Sequence, residues 1–261
     1  MKLEFIREIC IEEGIQLECL SHGYVLRLRK GEISRNIFGA YWDINSAASD
    51  RLACDKTACS ALLNSSGIPA IVHELIYNPL RRVGLSGKNG AWAKAATLFS
   101  KHNNKVVLKP NQGTMGQEIF LCETMQELEF AAHAIFQNHP DAALSPYREI
   151  ITEYRVFYLN GECRFAYGKS KGKSWQHNLS HGAKAFEISD EKKAALYEIA
   201  SRAAKCIGIT FSTIDIAESP DEGLAVMEIN SGVQANHLLE QLTHLRPIIK
   251  NIYKDAINLL F

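Results

Sequence analysis

The chain has 261 residues, 46% of them hydrophobic, with 29 Lys+Arg set against 29 Asp+Glu. Zero formal net charge removes the electrostatic reason to expect nucleic acid or an anionic membrane surface as the main partner, and no apolar run approaches the ~20 residues of a membrane span. The length suits one large domain or two small ones with enough core to fold without staples. Seven cysteines are an odd number, set mostly among apolar neighbours. The one close pair, Cys54 and Cys59, has no second pair or histidine couple beside it, so the cysteines read as reduced thiols in a cytoplasmic protein and not as a zinc site. The opening MKLEFIREICIEEG has acids spaced through it and no small-residue cleavage site, unlike a signal peptide.

In chain order, Ile6, Ile9, Cys10 and Glu13 share a face of a short first helix that Gly14 stops. Strand-like stretches follow at Gln16–Leu20 and Tyr24–Arg29. Ser49–Ser66 reads as one helix with Leu52, Cys59, Leu62 and Leu63 inward, ended by Ser65-Ser66-Gly67 and Pro69. Tyr77–Gly90 holds one proline and three glycines and reads as a loop. A helix over about Gly90–His102 precedes strands Lys105–Lys109 and Gln117–Cys122. Thr124-Met-Gln-Glu127 is a capping box opening a helix to about Asn138. From Arg148 the pattern turns to β: Ile150–Leu159, a hairpin turn at Asn160-Gly161, and a return through Cys163–Gly168. The polar stretch Lys169–Lys184, with lysines 169, 171 and 173, Trp175 and two histidines, reads as a mobile loop. A helix at Asp190–Ile207 stops at Gly208, strands Phe211–Ala217 and Leu224–Ile229 follow, and Pro247 opens a final amphipathic helix. The alternation is α+β, with hairpins and no steady βαβ rhythm.

Three clusters carry chemistry. Asp215 lies inside one strand, and Glu228 and Asn230 lie two apart on the next, so the latter pair points to one face. Two carboxylates and an amide oxygen suit a hard cation such as Mg²⁺; a surface acid pair beside a turn is the bland alternative. Lys109 closes an apolar strand before Pro110-Asn-Gln-Gly113-Thr-Met-Gly116, whose glycines let backbone N–H groups approach a polyanion or simply serve a tight turn. Glu149, Ile151, Glu153 and Arg155 alternate onto one strand face, as a ligand site or a solvated ladder would.

Taken in order, Asp55-Lys56, Gly67-Ile-Pro69, Val107-Leu-Lys109-Pro with Gly113-x-x-Gly116, Glu149-Ile-Ile-x-Glu153-x-Arg155, Asn178 to Gly182, Asp215, and Met227-Glu228-Ile-Asn230 resemble the ATP-grasp family of ATP-dependent carboxylate–amine ligases. The resemblance runs from about Phe5 to Leu239, and its N-terminal part is similar to the ATP-grasp module of cyanophycin synthetases and bifunctional glutathione synthetases. It implies an ATP-grasp fold of two α+β subdomains gripping the nucleotide. A short segment (1–50) would precede an ATP-grasp domain (51–261), with a lid at about 70–148 and a larger metal-binding part at about 149–261.

The resemblance also implies roles. Lys56 and Lys109 would hold ATP phosphates, under a flap of Gly113, Thr114, Met115 and Gly116. Glu149, Ile150 and Ile151 would form the adenine edge and hinge, and Glu153 would meet the ribose. Asp215, Glu228 and Asn230 would bind two Mg²⁺ ions, with Mn²⁺ as the alternative. Arg155, Asn178 and Lys169 (or Lys171) would face the γ-phosphate and acyl phosphate, and Ser231 and Gly232 the substrate carboxylate. The implied reaction joins the carboxylate of an amino acid or peptide to an amine, the substrates being small molecules or peptides. A kinase, or an ATP-binding subunit without turnover, stays open as an alternative. Two departures stand out. Only about 50 residues precede Asp55-Lys56, so a homodimer or partner protein is expected to complete the acceptor pocket. After Tyr167, where related ligases often have arginine, this chain has Gly168-Lys169.

Overall fold

The computed structural model describes residues 2–79, 81, 90–113, 116–172, 179 and 182–261. Helix α1 (Lys2–Glu12) buries Phe5, Ile6, Ile9 and Cys10. It leads into an antiparallel meander of β1 (Gln16–Leu20), β2 (Val25–Lys30), β3 (Ile33–Phe38) and β4 (Tyr41–Trp42). The first two strands match the sequence reading. The last two carry no sequence signal: β3 buries only Ile37 and so lacks the alternation that marks a half-buried strand, and β4 is two residues long.

The single helix expected over Ser49–Ser66 is two, α2 (Ala47–Cys54) and α3 (Lys56–Ser65). Asp55 breaks it. Its backbone is extended, and its carboxylate accepts from the Ala58 amide at 2.9 Å and the Thr57 hydroxyl at 2.9 Å, an N-cap that outcompetes helix continuation.

A four-stranded antiparallel sheet in the order β5-β8-β6-β7 comes next, from β5 (Glu74–Tyr77), β6 (Val106–Pro110), β7 (Phe120–Cys122) and β8 (Asp141–Pro146). Helices α4 (Gly90–Lys101) and α5 (Met125–Asn138) cover one face through Ala95, Phe99, Leu128 and Ile135. The Thr124/Glu127 capping box forms in full. Neither β5 nor β8 is among the strands the sequence pattern predicts. The Ala-Ala-Leu-Ser core of β8 has modest strand propensity, and burial between two neighbouring strands overrides it.

The central sheet has the order β11-β10-β9-β12-β13, built from β9 (Thr152–Leu159), β10 (Glu162–Lys169), β11 (Ala185–Phe186), β12 (Phe211–Ser219) and β13 (Gly223–Asn230). Asn160 and Gly161, both at positive φ, make the expected β9–β10 turn. Helix α6 (Asp190–Ile207) has the expected bounds, and α7 (Asn236–Gln241) precedes α8 (Arg246–Asn258). Among the described residues no helix is long and apolar enough to cross a membrane.

The sheet is buried on both faces. Tyr154, Val156, Ile214, Ile216 and Ile229 pack on α6 through Leu196, Ala200 and Ala203. On the other face Phe157, Phe165, Tyr167 and Phe211 join Phe5, Trp42, Tyr253 and Ile257, so α1, the meander, α8 and this sheet share one core. Two chain segments, 66–73 and 147–151, cross from the central sheet to the β5-β8-β6-β7 sheet. Each is pinned to a central strand: Ile71 N–H donates to Val226 O at 2.8 Å, and Ile151 N–H to Glu218 O at 2.9 Å.

Candidate active site

Strand register builds the site. Glu228 on β13 lies opposite Asp215 on β12, Asp215 opposite Arg155 on β9, and Arg155 opposite Tyr167 on β10. One step along, Lys169 lies opposite Glu153. Residues facing one another across a sheet project to the same side, so this is the face that carries Phe157 and Phe165 nearer the Asn160-Gly161 turn. Along β9, β10 and β12 that face changes from aromatic to charged.

Asp215 is the hub, with only 1% of its surface exposed. Arg155 grips it with two parallel hydrogen bonds, Nε to Oδ1 at 2.7 Å and Nη2 to Oδ2 at 2.6 Å. Lys169 donates to Asp215 Oδ1 at 3.1 Å and also to Glu153, and Asn230 Nδ2 donates to Asp215 Oδ2 at 3.0 Å. Burial pushes the Asp215 carboxyl up, but the charges of Arg155 and Lys169 and their hydrogen bonds outweigh it and hold the group at about 2. The carboxylate is therefore ionised, with both oxygens engaged by Arg155, Lys169 and Asn230. Lys169 is buried in this cluster, whereas Lys171 is exposed.

The facing wall carries more positive charge. Lys56 is the first residue of α3, and its Nζ donates to Gly113 O at 3.0 Å and lies 3.8 Å from Glu228 Oε2. Asn111, a residue the sequence reading passed over, fixes that helix start. Its carbonyl accepts from Lys56 N–H at 3.3 Å and its side-chain oxygen from Thr57 N–H at 3.1 Å. The only sequence signal was its place in the turn after Pro110. Lys109 alternates with Val106, Leu108 and Pro110 on β6. Val106 and Leu108 face the α4 and α5 core, so Lys109 projects to the opposite side, into the cleft. Burial lowers its pKa to about 8, against the attraction of Glu228 and with the repulsion of Lys56. A small apolar floor of Ile71, Ala217 and Ala225, flanked by Ile150 and Met227, lies where the two crossing segments meet the sheet. Glu149 and Ile151 are exposed beside it.

Ser231 and Gly232 stand apart from the charged cluster. The Ser231 side chain is buried, 4.0 Å from Cys54 Sγ on α2. At Gly232 an added Cβ would come within 2.9 Å of the Ala40 Cβ, so the turn between β3 and β4 packs on its backbone. The Phe186 ring covers Gly168, leaving Lys169 as the residue of that pair on the charged face. Gly113 and Gly116 flank the expected flap; Thr114, Met115 and Asn178 lie outside the described residues, as does half of the expected loop over Lys169–Lys184.

Among the described residues no three His, Cys, Asp or Glu side chains cluster as a metal cage. Asp215, Glu228 and the Asn230 amide are two carboxylates and one neutral oxygen on neighbouring strand positions. That incomplete set fits a cation whose remaining ligands come from phosphate and water, as Mg²⁺ prefers.

Residues 53–245 match the family described as the RimK-like ATP-grasp domain. The chain is 26% identical over 146 residues to the alpha-aminoadipate–LysW ligase LysX of Sulfurisphaera tokodaii, covering 52% of this chain and 49% of that protein. It is 31% identical over 131 residues to a probable alpha-L-glutamate ligase of Aeromonas salmonicida, covering 48% of this chain and 42% of that protein. It thus spans half or less of the length of these curated relatives. Among solved structures, the D-alanine–D-alanine ligase from Bacillus anthracis superposes with a TM-score of 0.62 at 13% identity, covering 83% of this chain and 71% of that one. The D-cycloserine synthetase DcsG gives 0.59 at 17% identity, covering 80% and 71%.

Proposed function

The chain belongs to the RimK-like ATP-grasp domain family, and on that premise we propose that it is an ATP-dependent ligase joining a carboxylate to an amine through an acyl phosphate, with release of ADP and phosphate. The observation that carries the reading is the buried Asp215, held between Arg155 and Lys169 and lying opposite Glu228, which Lys56 and Lys109 approach from the other wall, beside an apolar floor. The names of the relatives speak of amino-acid substrates. An amino acid or short peptide as carboxylate, and a small molecule or peptide as amine, suits this chain too.

The roles follow from charge. A carboxylate approaching a polyphosphate brings like charges together, so the site must supply positive potential where negative charge gathers. Lys56 and Lys109 would bind the phosphates from the cleft side. The floor of Ile71, Ile150 and Met227 would take the purine ring, with backbone groups of residues 149–151 at its edge and Glu153 towards the ribose. Asp215, Glu228 and Asn230 would hold Mg²⁺ (or Mn²⁺), which when bound neutralises phosphate charge. Arg155 and Lys169 would then turn from Asp215 towards the transferring phosphate, and donate to it as the carboxylate oxygen attacks. Attack of the amine on the acyl carbon expels phosphate and forms the amide. Water must be kept out in between, a task for the flap at 113–116 and for the lid, about residues 70–148, hinged at the two crossing segments. A cytoplasmic setting, with ATP and reduced thiols, fits this chemistry.

The test is ADP release from Mg·ATP with a pool of amino acids and short peptides, run beside Glu228→Gln. Pool-dependent ADP with free phosphate, reduced at least a hundredfold in the variant, is the expected result. Phosphate retained on a stable product would replace the ligase by a kinase, and absence of ATP binding would sink the reading.

A further inference from the structure

One buried side chain beside the cleft has no part in the roles above. His73 lies on the crossing segment that enters β5, and it is 5% exposed. Among the described residues neither ring nitrogen has a hydrogen-bond partner. The Ile71 carbonyl is near enough to favour the protonated ring slightly, yet completes no hydrogen bond. Glu74 pairs with Leu144, and Leu144 faces the core under α4 and α5, so the preceding residue, His73, belongs to the opposite, cleft-side face that also carries Lys109.

The surroundings are rich in donors. The charges that act on His73 come from Lys109, Lys56 and Arg148. Burial, and then these three cations, push its pKa well below the ordinary histidine value, so the ring is neutral and has one N–H to give. Arg148, on the other crossing segment, has a second orphan: its Nε is buried without a partner among the described residues, although Nη1 reaches Glu222 at 2.5 Å. Buried polar groups are nearly always satisfied, and those that are not call for a missing partner. Here the deficit is of acceptors.

We infer that His73 is a further contact of the nucleotide, its ring N–H donating to an acceptor of the bound nucleoside triphosphate and so helping to set nucleotide affinity. A nucleoside triphosphate carries many acceptors, on its phosphates and its ring nitrogens. The inference rests on the ATP reading above, and it adds a residue that none of the ATP-grasp motifs in this chain includes.

The test compares wild type, His73→Phe and His73→Asn for ATP binding by calorimetry and for melting temperature without nucleotide. It is joined by the ¹⁵N signals of the His73 ring during an ATP titration. Expected are a dissociation constant about tenfold weaker for His73→Phe and partial recovery in His73→Asn. The nucleotide-free melting temperature of His73→Phe should be unchanged or higher, because an unpaired polar group has left the interior, and the wild-type ring signal should shift on ATP addition. Wild-type ATP binding that His73→Phe leaves within twofold, with an unmoved ring signal, would overturn the inference alone. A lower melting temperature with unchanged affinity would do the same, marking the ring as core filling. No ATP binding by wild type would overturn the ATP reading and this inference with it.

Discussion

Asp215 shows how a residue that the sequence marks as a candidate ligand acquires its properties only from its neighbours. Its strand position was readable from the Thr-Ile-Asp-Ile-Ala pattern, and Glu228 and Asn230 from their spacing of two. That Arg155 and Lys169 both close on it was not, because the cross-strand register joining residues 60 and 46 positions apart is a tertiary fact. The consequence is testable by pH. The folded-state pKa of about 2 lies below the ordinary 3.8, so the contribution is present above about pH 4 and is lost as pH falls towards 2. It amounts to about 2 kcal/mol. Urea midpoints at pH 5 and pH 2.5 should fall steeply in wild type, and by less in Asp215→Asn, which forfeits the interaction at every pH. An equal acid loss in the two proteins would contradict the assignment.

At the scale of elements, capping chemistry was the most readable signal where it opened a helix and the most easily missed where it split one. Thr124 and Glu127 announced α5 because they precede a long apolar period. Asp55 lay within an apparently continuous helical pattern, where Leu52, Cys59, Leu62 and Leu63 kept a plausible face across the break. Its N-cap role matters to the site because Lys56 follows immediately. Asp55→Ala should cost about 1 kcal/mol in the urea unfolding free energy. It should also weaken ATP binding several-fold, since Lys56 loses its fixed helix start. Intact affinity with lowered stability would show that Asn111 alone anchors Lys56. Strands β3, β4, β5, β8 and β11 carry no sequence signal for a related reason: they are short or nearly all exposed or all buried, so a period of two does not show.

Across the whole molecule, α1 and the β1–β4 meander are anchored in the core behind the site. Trp42 packs edge-on against Phe211, with ring centroids 5.2 Å apart, and stacks on Tyr253 at 5.8 Å, joining the meander, the central sheet and α8. Phe5 adds α1 to the same cluster, 5.8 Å from Tyr253. Trp42→Ala should therefore destabilise the protein by about 3–5 kcal/mol, with far-UV and tyrosine signals still lost in one transition. Two separated transitions would mean that the N-terminal meander folds apart from the central sheet.

The amino-acid order by itself determined the α+β class, most of the long helices, the β9–β10 hairpin and the sequence of site motifs. Each of these rests on local periodicity, capping or turn chemistry. Tertiary structure decided which charges meet. It brought Arg155 and Lys169 onto Asp215, set Lys56 beside Glu228, turned Ser231 inward against α2, and left His73 near Lys109 with no partner among the described residues. Those outcomes depend on strand register and on the packing of one sheet against another, which long-range burial fixes and no short stretch of sequence encodes.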